Sequence, residues 1–376
     1  MNLHHVIFEA LYEIKLTRRN LLFNMFVFFA LLTTISFTFI SFSESDKIEF
    51  GEFYLPWVVQ ALPSSIPFMT AYYYNFVQVL MVFFMVSNDL RRLRFTTISA
   101  LEARPQDNSD TIIGKFLGRV AIFSLVNVLI YSVMICYNLI YYPRVLNISY
   151  YFFYGITLNF PVLIYFLSLS ILVSRFINNQ GISILFLLFF CVGTTICGAG
   201  VMNNLFDPFA RYIPNLFSDF VGHVQLTCFL LHQTIYLLMG ICFLILSILV
   251  YRRLPNNIHQ VRSVLVFAMF PFILSVIFIA FYMGNFMRVE RNKNEYRQFY
   301  FEYEHVLKNR VLSNEIRLRD LGKEGVAVES KMKIVNRNEE QIPVLLYLNP
   351  GLTVNGIKNG SVNLSFERKG PVILVD

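Results

Sequence analysis

Apolar runs long enough to cross a membrane as helices alternate with short polar segments along most of the chain. About 20 consecutive apolar residues span the hydrocarbon core of a bilayer as a helix. Seven runs approach that length: Leu21–Phe42, Pro67–Ser87, Val120–Tyr141, Tyr151–Ser174, Gly181–Val201, Thr234–Val250 and Ser263–Met287. The pattern predicts a mainly α-helical polytopic membrane protein, with the transmembrane part over residues 21–287.

The residues before the first run predict a separate amphipathic helix. Within residues 1–20, apolar side chains alternate with charged ones at helical spacing: Val6, Ile7, Leu11, Ile14 and Leu16. Basic residues gather at the end of this stretch, which suits a helix lying in the interface on the cytoplasmic face. A helical continuation of the first span is the alternative, and the periodicity leaves it open.

The pattern changes after Met287. Residues 288–320 are charged and carry aromatic residues at helical spacing, which predicts a helix outside the membrane. From Val326 the period becomes two. This alternation predicts strands at Val326–Ile334, Ile342–Leu348, Leu352–Ile357, Ser361–Phe366 and Val372–Val375, with turns at Asn349-Pro350-Gly351 and Asn359-Gly360. Residues 321–376 are therefore expected to form a small extracytoplasmic antiparallel β module, a partial sandwich.

Composition agrees with a membrane protein. The 376 residues are 56% hydrophobic and only 15% charged, whereas soluble domains average about 25% charged residues. The net charge of +7 does not indicate nucleic-acid binding, because no basic stripe interleaved with stacking aromatics is present.

The positions of the basic residues predict the orientation. With the N-terminus in the cytoplasm, the cytoplasmic segments hold thirteen Lys and Arg residues, and the opposing loops hold only Lys47, Arg144 and Arg211. Cytoplasmic loops carry such an excess. Seven spans then place the C-terminus on the extracytoplasmic side.

Residues 88–119 form the longest segment predicted on the cytoplasmic side, and they concentrate charge. Apolar Leu90, Leu93, Ile98 and Leu101, followed by Pro105, predict a short helix in the interface plane. Asp110-Thr111 is expected to cap the next span. We expect this segment to contact a cytoplasmic partner through Asp89, Arg91, Arg92, Arg94, Glu102, Arg104 and Pro105.

The sequence carries none of the common motifs for enzymatic chemistry. There is no P-loop, no His-Glu-x-x-His zinc motif and no Gly-x-Ser-x-Gly nucleophile motif. Gly114-Lys115-Phe-Leu-Gly118 is only superficially similar to a P-loop. The seven runs contain no Asp, Glu, Lys, Arg or His, with His223 and His232 assigned to an outer loop or its edge. We expect no catalytic, metal or cofactor site, and a membrane part moved by an external energy source.

Residues 1–285 resemble the permease subunit of ABC-2 type transporters. The similarity rests on the amphipathic N-terminal helix and on the order Asp89-Leu-Arg91, Glu102-Ala-Arg104-Pro105 and Gly114-Lys115-Phe-Leu-Gly118 in the loop between the second and third spans. The resemblance implies a bacterial inner-membrane exporter subunit without its own cofactor. It also implies three partners: a separate ATPase that binds ATP and contacts the 88–119 loop, a second permease copy, and membrane lipid.

Two further stretches are similar to permeases fused to an M1-type aminopeptidase. Asp207-Pro208-Phe209 is one, and the tail 326–376 resembles the start of the N-terminal β domain of M1 aminopeptidases. The zinc motif is absent, so no peptidase activity is expected in this chain. Two other functions stay open: a non-transporting membrane anchor, scaffold or sensor that presents the β module, and the membrane and adaptor half of an M1-type peptidase complex.

Overall fold

The computed structural model describes residues 2–42, 63–95, 107–177, 179–198, 200–211, 213, 217–218, 222–223, 225–251, 258–306, 309–321, 325–335 and 343–375. The chain divides into two compact units, Met1–Asn285 and Phe286–Asp376. The predicted boundary after residue 287 lies two residues from the observed one.

The first unit is helical. Its helices are α1 (Leu3–Arg18), α2 (Leu21–Phe42), α3 (Ile66–Phe95), α4 (Asn108–Tyr141), α5 (Ile148–Tyr154), α6 (Phe160–Phe176), α7 (Gln180–Ile196), α8 (Leu226–Val250) and the first part of α9 (Ile258–Glu302). A π-helical turn, Gly155–Asn159, joins α5 to α6. Two-residue strands β1 (Phe217–Ser218) and β2 (Gly222–His223) pair with each other before α8.

Six helical segments of the described chain are long and apolar enough to cross a membrane. They are Leu21–Ile40, Ile66–Asn88, Asn108–Tyr141, Ile148–Phe176, Leu226–Val250 and Val261–Glu302. The mainly helical architecture is thus confirmed, and six of the seven predicted runs lie in these segments. The remaining run forms α7, which has 17 residues and stops at Ile196 instead of Val201. The chain leaves the helix there, through Cys197 and a left-handed Gly200.

Helix α7 nevertheless connects the two ends of the bundle. The guanidinium of Arg175, at the end of α6, lies 4.6 Å from the ring centroid of Tyr251, at the end of α8. Because α6 and α8 end together, the chain between them must travel to the other end and back. Helix α7 forms the first of these two passages and is roughly 25 Å long, at 1.5 Å per residue.

Helices α3 and α6 form the centre of this unit, and α2 and α9 lie at its periphery. In the candidate spans, 78% of α3 is buried against 22% of α2 and 17% of α9. Aromatic contacts join the central helices: Phe83 to Phe166 at 5.6 Å, and Tyr165 of α6 to Tyr236 of α8 at 4.8 Å. The peripheral helices expose large apolar side chains, as at Phe270, which is 71% exposed.

The described residues of the second unit form the rest of α9 and seven strands. They are β3 (Arg310–Asp320), β4 (Val326–Val335), β5 (Val344–Tyr347), β6 (Ile357–Asn359), β7 (Val362–Leu364), β8 (Phe366–Lys369) and β9 (Val372–Val375). All pairings are antiparallel: β3 with β4, β6 with β7, and a sheet in the order β5-β9-β8. The small C-terminal antiparallel module is confirmed, with its strands divided among three small sheets.

The strand predicted at Ser361–Phe366 is divided into β7 and β8 at Ser365, and two further boundaries in this unit differ from the prediction. The helix predicted over 288–320 ends at Glu302, and residues 310–320 form β3, because Ile316 and Leu318 alternate with charged residues and pair opposite Ser330 and Val328. The strand predicted at Leu352–Ile357 is wrong: β6 begins only at Ile357.

An arginine explains the second difference. The Arg368 guanidinium donates hydrogen bonds to the carbonyl oxygens of Asn349 (3.2 Å), Pro350 (3.1 Å) and Leu352 (2.5 Å), which holds the predicted Asn349-Pro350-Gly351 turn closed. The predicted hairpin after Asn359 is confirmed, with Gly360 at φ 61° in its loop.

Candidate functional site

The segment predicted to contact a partner is only partly described. Three of its seven residues lie outside the described ranges: Glu102, Arg104 and Pro105. The other four lie on the last two turns of α3: Asp89, Arg91, Arg92 and Arg94. The prediction of a separate interfacial helix starting at Leu90 is wrong for the described part, because α3 continues without a break to Phe95. No Gly or Pro after Ser87 interrupts it.

The start of α4 is fastened to the N-terminal helix. Helix α4 begins at Asn108, and Asp110 lies in its first turn with 2% exposure. The predicted cap is wrong, because Asp110 Oδ2 accepts the backbone N–H of Asn2 at 3.0 Å, outside its own helix. A carboxylate in this turn is also favoured by the positive end of the α4 dipole.

Two glycines let α1 and α4 approach closely. A Cβ atom at Gly114 would lie 2.6 Å from the Glu9 Cβ, and one at Gly118 would lie 2.6 Å from the Ala10 carbonyl oxygen. Small residues four apart on one helix face permit such close contact. The Gly114–Gly118 motif, which is only superficially similar to a P-loop, therefore belongs to a helix-packing seam.

A buried ion pair closes the same seam. Arg119 Nε and Nη2 both lie 2.8 Å from Glu13 Oε1, and each side chain is only 5% exposed. Two donors on one carboxylate oxygen fix the guanidinium in the plane of the pair. Loss of either partner would leave the other charge buried, and this is strongly unfavourable.

The faces of α1 differ from the prediction. The side packed in the protein carries Val6, Glu13 and Thr17, whereas the predicted apolar positions Ile7 and Leu11 are 51% and 61% exposed. Helix α1 is a separate helix and not a continuation of α2, because it ends at Arg18 before α2 starts at Leu21. Sequence reasoning missed Glu13, although Val6, Ala10, Glu13 and Thr17 recur at helical spacing.

The ends of α6 and α8 meet the start of α4. The Asn108 Nδ2 group donates to the Tyr251 carbonyl oxygen at 3.2 Å, and Arg175 lies over the ring of the same tyrosine. We call this region the charged end; it carries Glu13, Asp110, Lys115, Arg119 and Arg175. Four helices are thus tied together at the end where α3 approaches the predicted coupling segment.

The interior holds a neutral polar cluster around Asn159. Tyr131 of α4 donates to Asn159 Oδ1 at 2.8 Å, and Gln78 of α3 donates to the Asn159 carbonyl oxygen at 3.2 Å. Asn159 ends the π-helical turn, a feature found frequently at functional sites. Several buried polar atoms near this level of α3 have no hydrogen-bond partner among the described residues, including both amide atoms of Asn75 and Tyr74 Oη.

A buried loop closes the opposite end. Asp207, fully buried, accepts backbone N–H groups from Phe209 at 3.1 Å and Arg211 at 2.6 Å. Burial raises the pKa of Asp207 above its ordinary value, although these two hydrogen bonds and the Arg211 charge act to lower it. The Phe209 ring stacks on Phe76 at 4.4 Å and lies 5.6 Å from Phe166, so the loop is packed onto α3 and α6.

One expectation about ionisable groups is corrected here. His232 was assigned to an outer loop or its edge, but α8 starts at Leu226 and holds His232, fully buried, in its second turn. His232 Nε2 lies 3.3 Å from the Asn204 carbonyl oxygen, and its ring faces Tyr236 and Tyr282. The predicted apolar run, which begins only at Thr234, therefore misses the first two turns of α8.

The charged end, the Asn159 cluster and the Asp207 loop are suited to holding helices together and to binding. Within the described residues, no group of three or more His, Cys, Asp or Glu side chains is arranged to hold a metal ion. The charged end joins helices, the Asn159 cluster links α3, α4 and α6, and the Asp207 loop closes the other end.

Comparisons with known proteins give no family. No family model matches the chain, and no curated protein matches it.

Proposed function

We propose that the chain is a multi-pass membrane protein and the permease subunit of an ABC-2 type exporter. A separate cytoplasmic ATPase binds and hydrolyses ATP and contacts the 88–119 segment. A second permease copy completes the transporter, and lipid surrounds it in the bacterial inner membrane. This chain carries no enzymatic activity of its own in the proposal.

The observation that carries the proposal is the connected charged end. Helix α4 leaves the 88–119 segment and is joined within three turns to α1 by the Glu13–Arg119 pair and to α8 by the Asn108–Tyr251 hydrogen bond. A force applied to the segment would therefore move α1, α4 and the end of α8 together. Such a junction is what an externally driven permease needs.

Exposed apolar surface supports a membrane location. Leu3, Ile7 and Leu11 recur every four residues on one face of α1 and are 51–67% exposed, and this stripe suits a helix lying at a membrane surface. Exposed apolar side chains also cover α2 and α9, where a soluble protein would place polar ones.

The proposed orientation follows from charge and connectivity. The excess of Lys and Arg places the charged end and the N-terminus in the cytoplasm. Helix α7 travels between the two ends of the bundle and serves as a seventh span, which places residues after the last span outside. The second unit then has access to extracytoplasmic molecules.

The proposal is tested by co-purification from native membranes in a mild detergent. We expect a P-loop ATPase to co-purify with the wild-type chain, and we expect the Arg91→Glu/Arg92→Glu and Glu102→Lys variants to retain less of it. Charge reversal at an interface places like charges together and costs several kcal/mol of association.

The matched control is Arg262→Glu. Arg262 lies on the first turns of α9, is exposed, and sits outside the proposed contact. Full retention of the ATPase by both the Arg91→Glu/Arg92→Glu and the Glu102→Lys variant, at the membrane level of the control, would contradict a coupling role for the segment.

A second candidate function is favoured by one feature of the second unit. In the β3–β4 hairpin, one face carries Ile316, Leu318, Val326, Val328 and Met332, all 40–71% exposed. An exposed apolar sheet face is typical of an interaction site. This feature fits the membrane and adaptor half of an M1-type peptidase complex, and co-purification of a His-Glu-x-x-His protein instead of an ATPase would select it.

A further inference from the structure

Polar side chains with unpaired atoms gather on one buried face of α3, beside the Asn159 cluster. Gln78 lies three residues after Asn75 and four after Tyr74, so the three side chains share one side of the helix, and each is fully buried. The Tyr74 hydroxyl, both amide atoms of Asn75 and Gln78 Oε1 bond to no group of the described chain. Such atoms are normally paired in a protein interior, so these require an explanation.

The same face of α3 meets the π-helical turn and α4. Asn159 Nδ2 donates to the Ala71 carbonyl oxygen at 3.4 Å, and the Gln78 amide donates to the Asn159 carbonyl oxygen at 3.2 Å. Because Ala71 lies one turn before Asn75 and Gln78 lies about one turn after it, Asn75 sits between these two bonds. Tyr131 brings α4 to the same point through its hydrogen bond to Asn159 Oδ1. The unpaired atoms therefore lie where α3, α4 and α6 meet.

A line of neutral polar groups continues along α4 toward one end of the bundle. The Tyr131 and Tyr151 rings lie 6.0 Å apart, and Asn138 Nδ2 donates to the Tyr151 hydroxyl at 3.2 Å. Asn138 lies about 10 Å along the helix from Tyr131 and one turn before the end of α4 at Tyr141. Its Oδ1 atom is also buried, and no described group bonds to it. The line thus connects the Asn159 cluster with the end of α4.

The chemistry of the unpaired atoms selects the ligand. The Tyr74 hydroxyl and Asn75 Nδ2 can donate, whereas the side-chain carbonyl oxygens of Asn75, Gln78 and Asn138 can only accept. All of these groups are neutral. Leaving every one of them unpaired would cost a free energy comparable with the net stability of a whole protein. Water is the smallest molecule that both donates and accepts, and buried waters bind otherwise unpaired polar groups in this way.

We propose that water molecules bind at the junction of α3, α4 and α6, pair these atoms, and enter along the Tyr151–Asn138 line from the end of α4. This inference goes beyond the proposed function and does not depend on it. Water at this point lets Asn159 exchange its hydrogen bonds without leaving any group unpaired, because a bridging water replaces a direct bond at little enthalpic cost. The π-helical turn can thereby rearrange inside the bundle.

The test is X-ray hydroxyl-radical labelling of the full-length protein in a nonionic detergent, read by mass spectrometry. X-rays produce the radicals from water in place, so a buried ring beside bound water is oxidised and a ring in a dry core is not. We expect Tyr74 and Tyr131 to be oxidised several times faster than Phe83 and Phe166. These phenylalanines are the matched control, because they are fully buried on α3 and α6 and contact each other at 5.6 Å.

Two variants on α3 sharpen the test. Asn75→Leu removes two of the unpaired atoms at similar side-chain shape, so the Tyr74 oxidation rate should fall towards that of Phe83. Met81→Leu, a volume-conserving change at another fully buried position of α3, should leave the rate unchanged. Gln78→Leu takes the place of Asn75→Leu if that variant does not fold. Equal oxidation of the tyrosines and the phenylalanines in the wild type would overturn the proposal. So would a folded Asn75→Leu or Gln78→Leu variant in which Tyr74 is oxidised at the wild-type rate.

Discussion

The Glu13–Arg119 pair offers the sharpest test of how the charged end is held together. Glu13→Ala leaves the Arg119 guanidinium, which is 5% exposed, without its carboxylate. With an effective dielectric constant of ~20, Coulomb's law gives about 6 kcal/mol at the observed 2.8 Å. Desolvation offsets part of this attraction, and removing one partner of a buried pair typically costs about 3–5 kcal/mol.

We expect the lost free energy to appear locally, as opening of α1 from α4. The assay is hydrogen exchange of the α1 amides, Leu3–Arg18, in the purified protein. A loss of about 3–5 kcal/mol would speed exchange through local opening by roughly two to four orders of magnitude, up to the limit set by global unfolding.

The double variant Glu13→Ala/Arg119→Met separates an ion pair from simple loss of packing. With both charges removed, no uncompensated charge stays buried, so the double variant should lose less stability than the two single variants added together. Glu290→Ala is the control, because its partner Lys293 lies in an exposed pair on α9. Unchanged α1 exchange in Glu13→Ala, or additive losses in the double variant, would refute the reasoning.

Three further outcomes are expected. Gly118→Ala should destabilise the protein by about 1–3 kcal/mol through overpacking against Ala10, whereas Gly193→Ala on α7, where a Cβ has open space, should not; equal unfolding temperatures for the two would contradict the seam. Burial raises the pKa of Asp207, so the folded state binds its proton more tightly, and stability from this group is present at low pH and lost as pH rises through the raised pKa. The wild type should therefore gain unfolding temperature relative to Asp207→Asn as the pH falls from 7 towards the ordinary aspartate pKa of 3.8, and a parallel pH response of the two would exclude this role. In a variant without native cysteines, Lys358→Cys should react with an impermeant thiol reagent from outside and Gln106→Cys should not; the reverse labelling would overturn the proposed orientation.

Hydrophobic periodicity predicted most helices because each of these runs is apolar along its whole length. The start of α8 shows where this reasoning fails. Its first turns contain His232 and Gln233, which lower local hydropathy, yet both are buried against the 204–208 loop and bond to its carbonyl oxygens. Tertiary partners that satisfy polar groups cannot be read from a hydropathy window.

The position of the charged end could be predicted from the sequence, but the side-chain contacts that hold it together could not. Charge density marked residues 88–119, but the partner of Arg119 lies on a helix more than one hundred residues earlier. Glu13 looked like part of a solvated face because Ile7 and Leu11 gave α1 a plausible apolar side. Only the close approach allowed by Gly114 and Gly118 shows which face of α1 is buried.

The two polar regions of the bundle differ in how much a rearrangement would cost. At the charged end, separating Glu13 from Arg119 would leave two buried charges without partners, which costs several kcal/mol of free energy. Around Asn159 every hydrogen bond joins neutral groups, and such bonds contribute only about 0.5–1.5 kcal/mol each. Tyr131 joins this cluster to α4, while Gln78 joins it to α3. If the helices at the charged end were displaced, the α1–α4 contact would therefore stay intact. The weaker hydrogen bonds of Asn159, at the π-helical turn, would break and re-form first. Among the described residues, the Asn75 amide and the Tyr74 hydroxyl have no hydrogen-bond partner, so a donor and an acceptor are available there for new hydrogen bonds. Phe76, the residue after Asn75, stacks on Phe209 and so connects this level of α3 to the Asp207 loop.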